Sequence, residues 1–251
     1  MNRKLRIETE SAPSSIGYRS NAMVAGGFVF TGGHIGAPLG KPDEHQPPAA
    51  TLEEQVSLCL QHTEQLSIAG GAPKERVIEV SAFLQPIERE DVVRQRVEDF
   101  LGFQPPLFNV RHVHHIAMSA MLELDWMAIV DPAISRQQAV EILRPFGHGK
   151  GLVRSGPFLM INGLVAPGAS LTEQTMNLFA EADRQLQEAG SGLPNLVKLT
   201  VFIGGGQYPD FNAATKELFA GFAPPTRSVL AKPLPGSALL QVDLLALGGE
   251  G

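Results

Sequence analysis

The sequence predicts an α+β fold written twice, two tandem domains that each run β-β-α-β-α-β-β, and three observations carry that prediction. Glycine-turned hairpins open both halves, at residues 23–33 and 152–163. Matching helix starts, Thr51-Leu52-Glu53-Glu54-Gln55 and Ser170-Leu171-Thr172-Glu173-Gln174, stand 170 − 51 = 119 positions apart. Phe83 and Phe202, each inside a stretch rich in β-branched residues, repeat that spacing (202 − 83 = 119).

The first helix of each half begins at a hydroxyl N-cap with Glu at the third helical position, which satisfies exposed backbone N–H groups. Leu52, Val56, Cys59, Leu60 and Leu66 recur near a 3.6 period, as do Leu171, Leu178, Phe179, Ala182 and Leu186, so each helix has one face to bury. Ala69-Gly70-Gly71 and Ala189-Gly190-Ser191 stop these helices, and strands follow at 77–84 and 196–203. A shorter helix is predicted at about 89–101 and again at about 209–222, each leading to a Pro-Pro pair (105–106 and 224–225) that cannot continue it. Two closing strands finish each half. In the last of them Leu122, Leu124 and Trp126 alternate with Glu123 and Asp125, and Leu240, Val242 and Leu244 with Gln241 and Asp243, giving one apolar and one polar face. Residues 131–151, with Pro132, Pro145, Gly147, Gly149 and Gly151, form the linker between domain 1 (1–130) and domain 2 (152–251), and 136–143 can make one short helix within it.

Composition narrows the function classes. With 251 residues, 43% of them hydrophobic, the chain can bury a real core. Twenty Lys+Arg against 26 Asp+Glu, with no basic strip, argue against nucleic acid or an anionic membrane as partner. The opening stretch, with Arg3, Lys4 and Arg6, lacks the apolar core of a signal peptide, and no run approaches a membrane span, so a soluble, cytoplasmic protein is expected. The single cysteine, Cys59, excludes an internal disulfide and reads as a buried, inert thiol on the apolar stripe of its helix.

The order of elements, the Ala189-Gly190-Ser191 stop, the strand Leu196-Val197-Lys198-Leu199-Thr200-Val201-Phe202 and the run Pro224-Pro225-Thr226-Arg227-Ser228 resemble the RidA/YjgF family of enamine/imine deaminases, in two copies spanning nearly the whole chain. The resemblance implies chorismate-mutase-like domains, each a six-stranded mixed sheet with two helices on one face. The other sheet face would pack against neighbours in a ring of three, with pockets between neighbours. It also implies a homo-oligomer, a trimer, and a hydrolase that needs no metal or organic cofactor. Such an enzyme takes a small carboxylate-bearing imine or enamine and releases ammonia and a keto acid. An RNA-cleaving activity sometimes attached to the family is disfavoured by the acidic balance.

Arg227 matches the family arginine that grips the substrate carboxylate, and a guanidinium suits that task because its planar fork gives two hydrogen bonds to one anion. The alternative is an interface salt bridge, with Asp243 as the candidate partner. The family's catalytic glutamate position falls on Gln241, whose neutral amide can orient water but cannot act as general base. The first half departs the other way: Glu123 keeps the acid, while Phe108 occupies the slot 119 before Arg227. Arg111, three residues on, would face Glu123 only if its strand slips or bulges, and otherwise reads as part of a structural ion pair. His34 follows Gly32-Gly33 at a position that often lines the family pocket, and Gly33 and Gly163 are expected to let the backbone, with its amides, approach a ligand. Of the cluster His112, His114 and His115, the first two would share one face of a strand, where no third metal ligand is evident, and the cluster reads as polar residues at a subunit contact. Since each half lacks one polar residue of the usual pair, a non-catalytic module binding a small metabolite or a partner protein stands beside the deaminase reading. Whether Arg227 and Glu123 share a pocket decides between complementary halves and inactive ones.

Overall fold

The computed structural model describes residues 4–40, 45–85 and 88–249. Arg3 of the opening basic stretch and the last two residues of domain 2 lie outside them. The first half runs β1 (Leu5–Ile7), β2 (Ala22–Ala25), β3 (Phe28–Thr31), β4 (His34–Ile35), α1 (Leu52–Ala69), β5 (Val77–Leu84), α2 (Glu90–Leu101), β6 (Leu107–His112) and β7 (Leu122–Ile129). The connecting α3 (Arg136–Leu143) leads to β8 (Gly151–Ser155), β9 (Phe158–Leu164), α4 (Leu171–Glu188), β10 (Leu196–Ile203), α5 (Tyr208–Leu218), β11 (Thr226–Ala231) and β12 (Leu240–Leu247). Thr51 and Ser170 cap α1 and α4 by accepting the N–H of Glu54 and Glu173, as their sequences predict.

The first sheet has the order β1-β2-β3-β7-β5-β6, with β4 also on β7; the second runs β11-β10-β12-β9-β8. Seven and five strands thus replace the six expected in each. The first half gains β1 and breaks one long strand at Gly32-Gly33 into β3 and β4, whereas β9 runs on unbroken to Leu164. Both sheets are mixed, because β5–β6 and β10–β11 are parallel and the remaining pairs antiparallel. Helices α1 and α2 cover one face of the first sheet over Leu124, Trp126 and Val80, and α4 and α5 cover one face of the second over Val242, Leu244 and Val201.

The opposite faces of the two sheets pack on one another inside the chain. Phe28 and Phe158 each follow a hairpin turn, and their rings meet at 5.8 Å; Ile78 and Val197, which are 119 apart, share that cluster. Equivalent residues meet, so the contact has approximate two-fold character. The face expected to meet neighbouring subunits is covered by the other half instead. Ala139 and Leu143 of α3 and the following Phe146 are buried in the same cluster, so the linker is a packed part of the core.

Candidate functional site

A cavity of about 480 Å³ opens where the halves meet, walled by Arg19, Gly33, His34 and Glu123 from the first and by Tyr208 and Arg227 from the second. Sequence pairing places Arg227 and Glu123 on different sheets, β11 and β7, and the face-to-face packing of those sheets joins them. The acid beside Arg227 therefore comes from the other repeat. Gln241 sits opposite Phe202 in the register that sets Glu123 opposite Phe83, so the two are equivalent positions, but Gln241 does not line this cavity.

Arg227 is buried, and α5 holds its guanidinium. Its Nη1–H donates to Thr215 Oγ1 (2.9 Å), and its Nη2–H groups donate to Tyr208 Oη (3.0 Å) and Asn212 Oδ1 (2.5 Å). Tyr208, Asn212 and Thr215 fall at i, i+4 and i+7 on one helix face. That polar stripe on an otherwise amphipathic helix is the signal through which sequence reading could have found them. Gly17 permits the approach: it has a φ of +81°, and a Cβ there would collide with the Tyr208 hydroxyl, Asn212 and the Arg227 guanidinium. The suspected ion pair of Arg227 with Asp243 does not form; Asp243 is 3.3 Å from Arg111 Nη1 instead.

Glu123 is 5% exposed, and burial pushes its carboxyl up to about 7, opposed by the Arg19 charge and reinforced by Asp125. A carboxyl poised there exchanges protons readily at neutral pH. Arg19, absent from the sequence-based candidates, is buried beside it and donates from Nη2 to Gly33 O (2.9 Å) and from Nη1 to Arg227 O (3.5 Å). Gly32 makes room, since a Cβ there would strike the Arg19 guanidinium. His34 is held neutral, its pKa pushed well below the ordinary range by burial and then by Arg19. Behind the cavity, Lys198 pairs with Asp125 at 2.9 Å, both fully buried, and Ser228 Oγ donates to the other Asp125 oxygen at 2.6 Å.

The expected roles of the glycine amides change. Gly33 N–H donates to Arg227 O (3.1 Å) and Gly163 N–H to Asp243 Oδ1 (2.7 Å), so both amides are spent within the protein. Gly33 still borders the cavity, while Gly163 belongs to the Arg111–Asp243 region. Arg111 pairs with Phe83 in an uninterrupted β5–β6 register and does not reach Glu123; with Asp243 and the carbonyl of Gly147 (3.0 Å) it forms a brace between the halves. Phe108 holds the slot equivalent to Arg227, opposite Val80 as Arg227 is opposite Leu199, and Arg94 stacks on its ring. His112 and His114 are exposed, and no group of three metal-ligating side chains occurs among the described residues. Cys59 donates its thiol to His34 O, and burial pushes its pKa well up, as expected of an inert thiol.

The model of the family described as Endoribonuclease L-PSP matches residues 143–247, which hold Arg227 and the whole second sheet. Over that span the second half of the chain is similar to the RidA/YjgF family. A RutC family protein of Pyrococcus abyssi is 23% identical over 122 residues, 49% of this chain and 94% of the relative, and one of Pyrococcus horikoshii is 25% identical over the same lengths. Among solved structures, the Rid family protein YyfA of Yersinia pestis aligns at 25% identity and yeast Mmf1 at 19%. Each has a TM-score of 0.47 and covers 51% of this chain and all of the other. Each curated relative thus corresponds to about half of this chain, which holds two mixed sheets in tandem. No helix among the described residues is long and apolar enough to cross a membrane.

Proposed function

We propose that the chain hydrolyses a small imine or enamine bearing a carboxylate, releasing ammonia and a 2-keto acid. The observation that carries this reading is the shared cavity: Arg227, held by three neutral acceptors and with no carboxylate within 4.0 Å among the described residues, faces the same space as Glu123. The substrate carboxylate answers the buried guanidinium. Protonated at its nitrogen, the C=N carbon accepts water, which loses a proton; the tetrahedral carbon then expels ammonia, and its hydroxyl gives up the second proton, restoring the one that activated the nitrogen, as the C=O of the keto acid forms. Glu123, balanced between its two protonation states, takes the proton from water and returns it to the leaving nitrogen. Imines already hydrolyse in water, so placing the reactants in a closed cavity supplies most of what catalysis requires. His34 borders the substrate in this reading, and Gln241, Arg111 and Gly163 take no part. Assembly of the chains into a trimer, through surfaces other than the sheet faces that the two halves cover in each other, and a cytoplasmic location, belong to the same proposal.

Release of ammonia and keto acid from freshly generated 2-iminopropionate and bulkier imino acids tests the proposal against the uncatalysed rate. Acceleration that disappears in Arg227→Ala and falls in Glu123→Gln supports it. Binding of 2-keto acids with no acceleration of any imine would leave a metabolite-binding module in its place.

A further inference from the structure

The geometry points to a second anion-binding side chain in the cavity, Arg19, and hence to a ligand with two acidic groups, a dicarboxylate rather than a monocarboxylate. This rests on the reading that the cavity is the substrate site. Arg19 and Arg227 are both buried, from different halves, and both border the one cavity. Every hydrogen-bond acceptor described for either is neutral: the carbonyls of Gly33 and Arg227 for one, the Thr215 and Tyr208 hydroxyls and the Asn212 amide for the other. Neither has a carboxylate within 4.0 Å among the described residues, in contrast to the neighbouring Lys198, which Asp125 neutralises at 2.9 Å. Two buried cations thus face one acid, Glu123.

A buried charge is costly unless paired. A dianion balances both guanidiniums while leaving Glu123 free to be the protonated partner that hands its proton to the substrate nitrogen. The two cations are tied to different supports, Arg227 to α5 and Arg19 to the Gly32-Gly33 break between β3 and β4, so one acidic group can reach each. The cavity, at about 480 Å³, has room for a five- or six-carbon diacid.

Titration calorimetry of the full chain with 2-oxoglutarate and 2-oxoadipate, set against 2-oxohexanoate, tests this without requiring turnover. The diacids should bind at least about tenfold more tightly, the order of one charge-assisted hydrogen bond. Arg19→Met should erase that gap by weakening the diacids more than 2-oxohexanoate, while Arg19→Lys keeps most of it. Equal binding of mono- and diacids by the unmodified chain, which needs no variant to fold, overturns the inference, as does an Arg19→Met chain that weakens both classes alike. A diacid preference without ammonia release would sink the deaminase reading and leave this one standing. Turnover of monocarboxylate imines with no diacid preference would do the reverse.

Discussion

Lys198 of the second repeat and Asp125 of the first form a fully buried ion pair at 2.9 Å, with Lys198 also donating to Thr31 O at 2.9 Å. The pair ties the sheets together directly behind the cavity. Removing one partner strands the other charge without water, so Lys198→Met or Asp125→Leu should each cost about 3–5 kcal/mol in urea unfolding. The double replacement should recover most of that loss, because two apolar side chains leave no buried charge.

Tyr208 and Asn212 position the Arg227 guanidinium by accepting its hydrogen bonds. Tyr208→Phe and Asn212→Ala should therefore raise KM for the imino acid, each by about 10- to 150-fold, while kcat falls less; the range follows from losing a hydrogen bond to a charged group, about 1.5–3 kcal/mol. Steady-state kinetics with a shared substrate checks the split. A fall in kcat alone would assign these residues to the chemical step.

Burial raises Glu79 and Glu123 from 4.5 to about 7. Between those values the folded chain holds protons that the unfolded chain has released, so unfolding there sheds protons. Their contribution to stability is full below about pH 4.5 and is lost as pH rises through 7. Urea midpoints should fall from pH 5 to pH 8, and the fall should shrink in Glu79→Gln and again when Glu123→Gln is added.

The Phe28–Phe158 contact lies at the centre of the core between the halves. Phe158→Ala should cost about 3–5 kcal/mol. Because this core is common to both repeats, circular dichroism and Trp126 fluorescence should still follow one coincident unfolding transition. Two separate transitions in the unmodified chain would show halves that are stable apart.

Most of the fold was legible in the sequence because it is local. The capped starts at Thr51 and Ser170, the short helix at 136–143 and the alternation around Glu123 and Asp243 all follow from spacing along the chain. The site was legible only in part. Arg227 and Glu123 were recognisable singly, yet Gln241 was matched to Arg227 because they share a repeat, and the decisive neighbour comes across the contact between repeats. Arg19 left no periodic trace, since its place depends on Gly32 lacking a side chain.

The packed connection through α3 has a kinetic meaning. A cleft shared by separate chains assembles only as fast and as fully as their concentration allows. Here Arg227 and Glu123 are tethered within one polypeptide, and each meets the other at an effective concentration fixed by the connection. Specific activity should then hold constant on dilution into the nanomolar range, and once one cleft is secured in this way, the equivalent cleft is free to give up its chemistry and serve, through Arg111 and Asp243, as a brace.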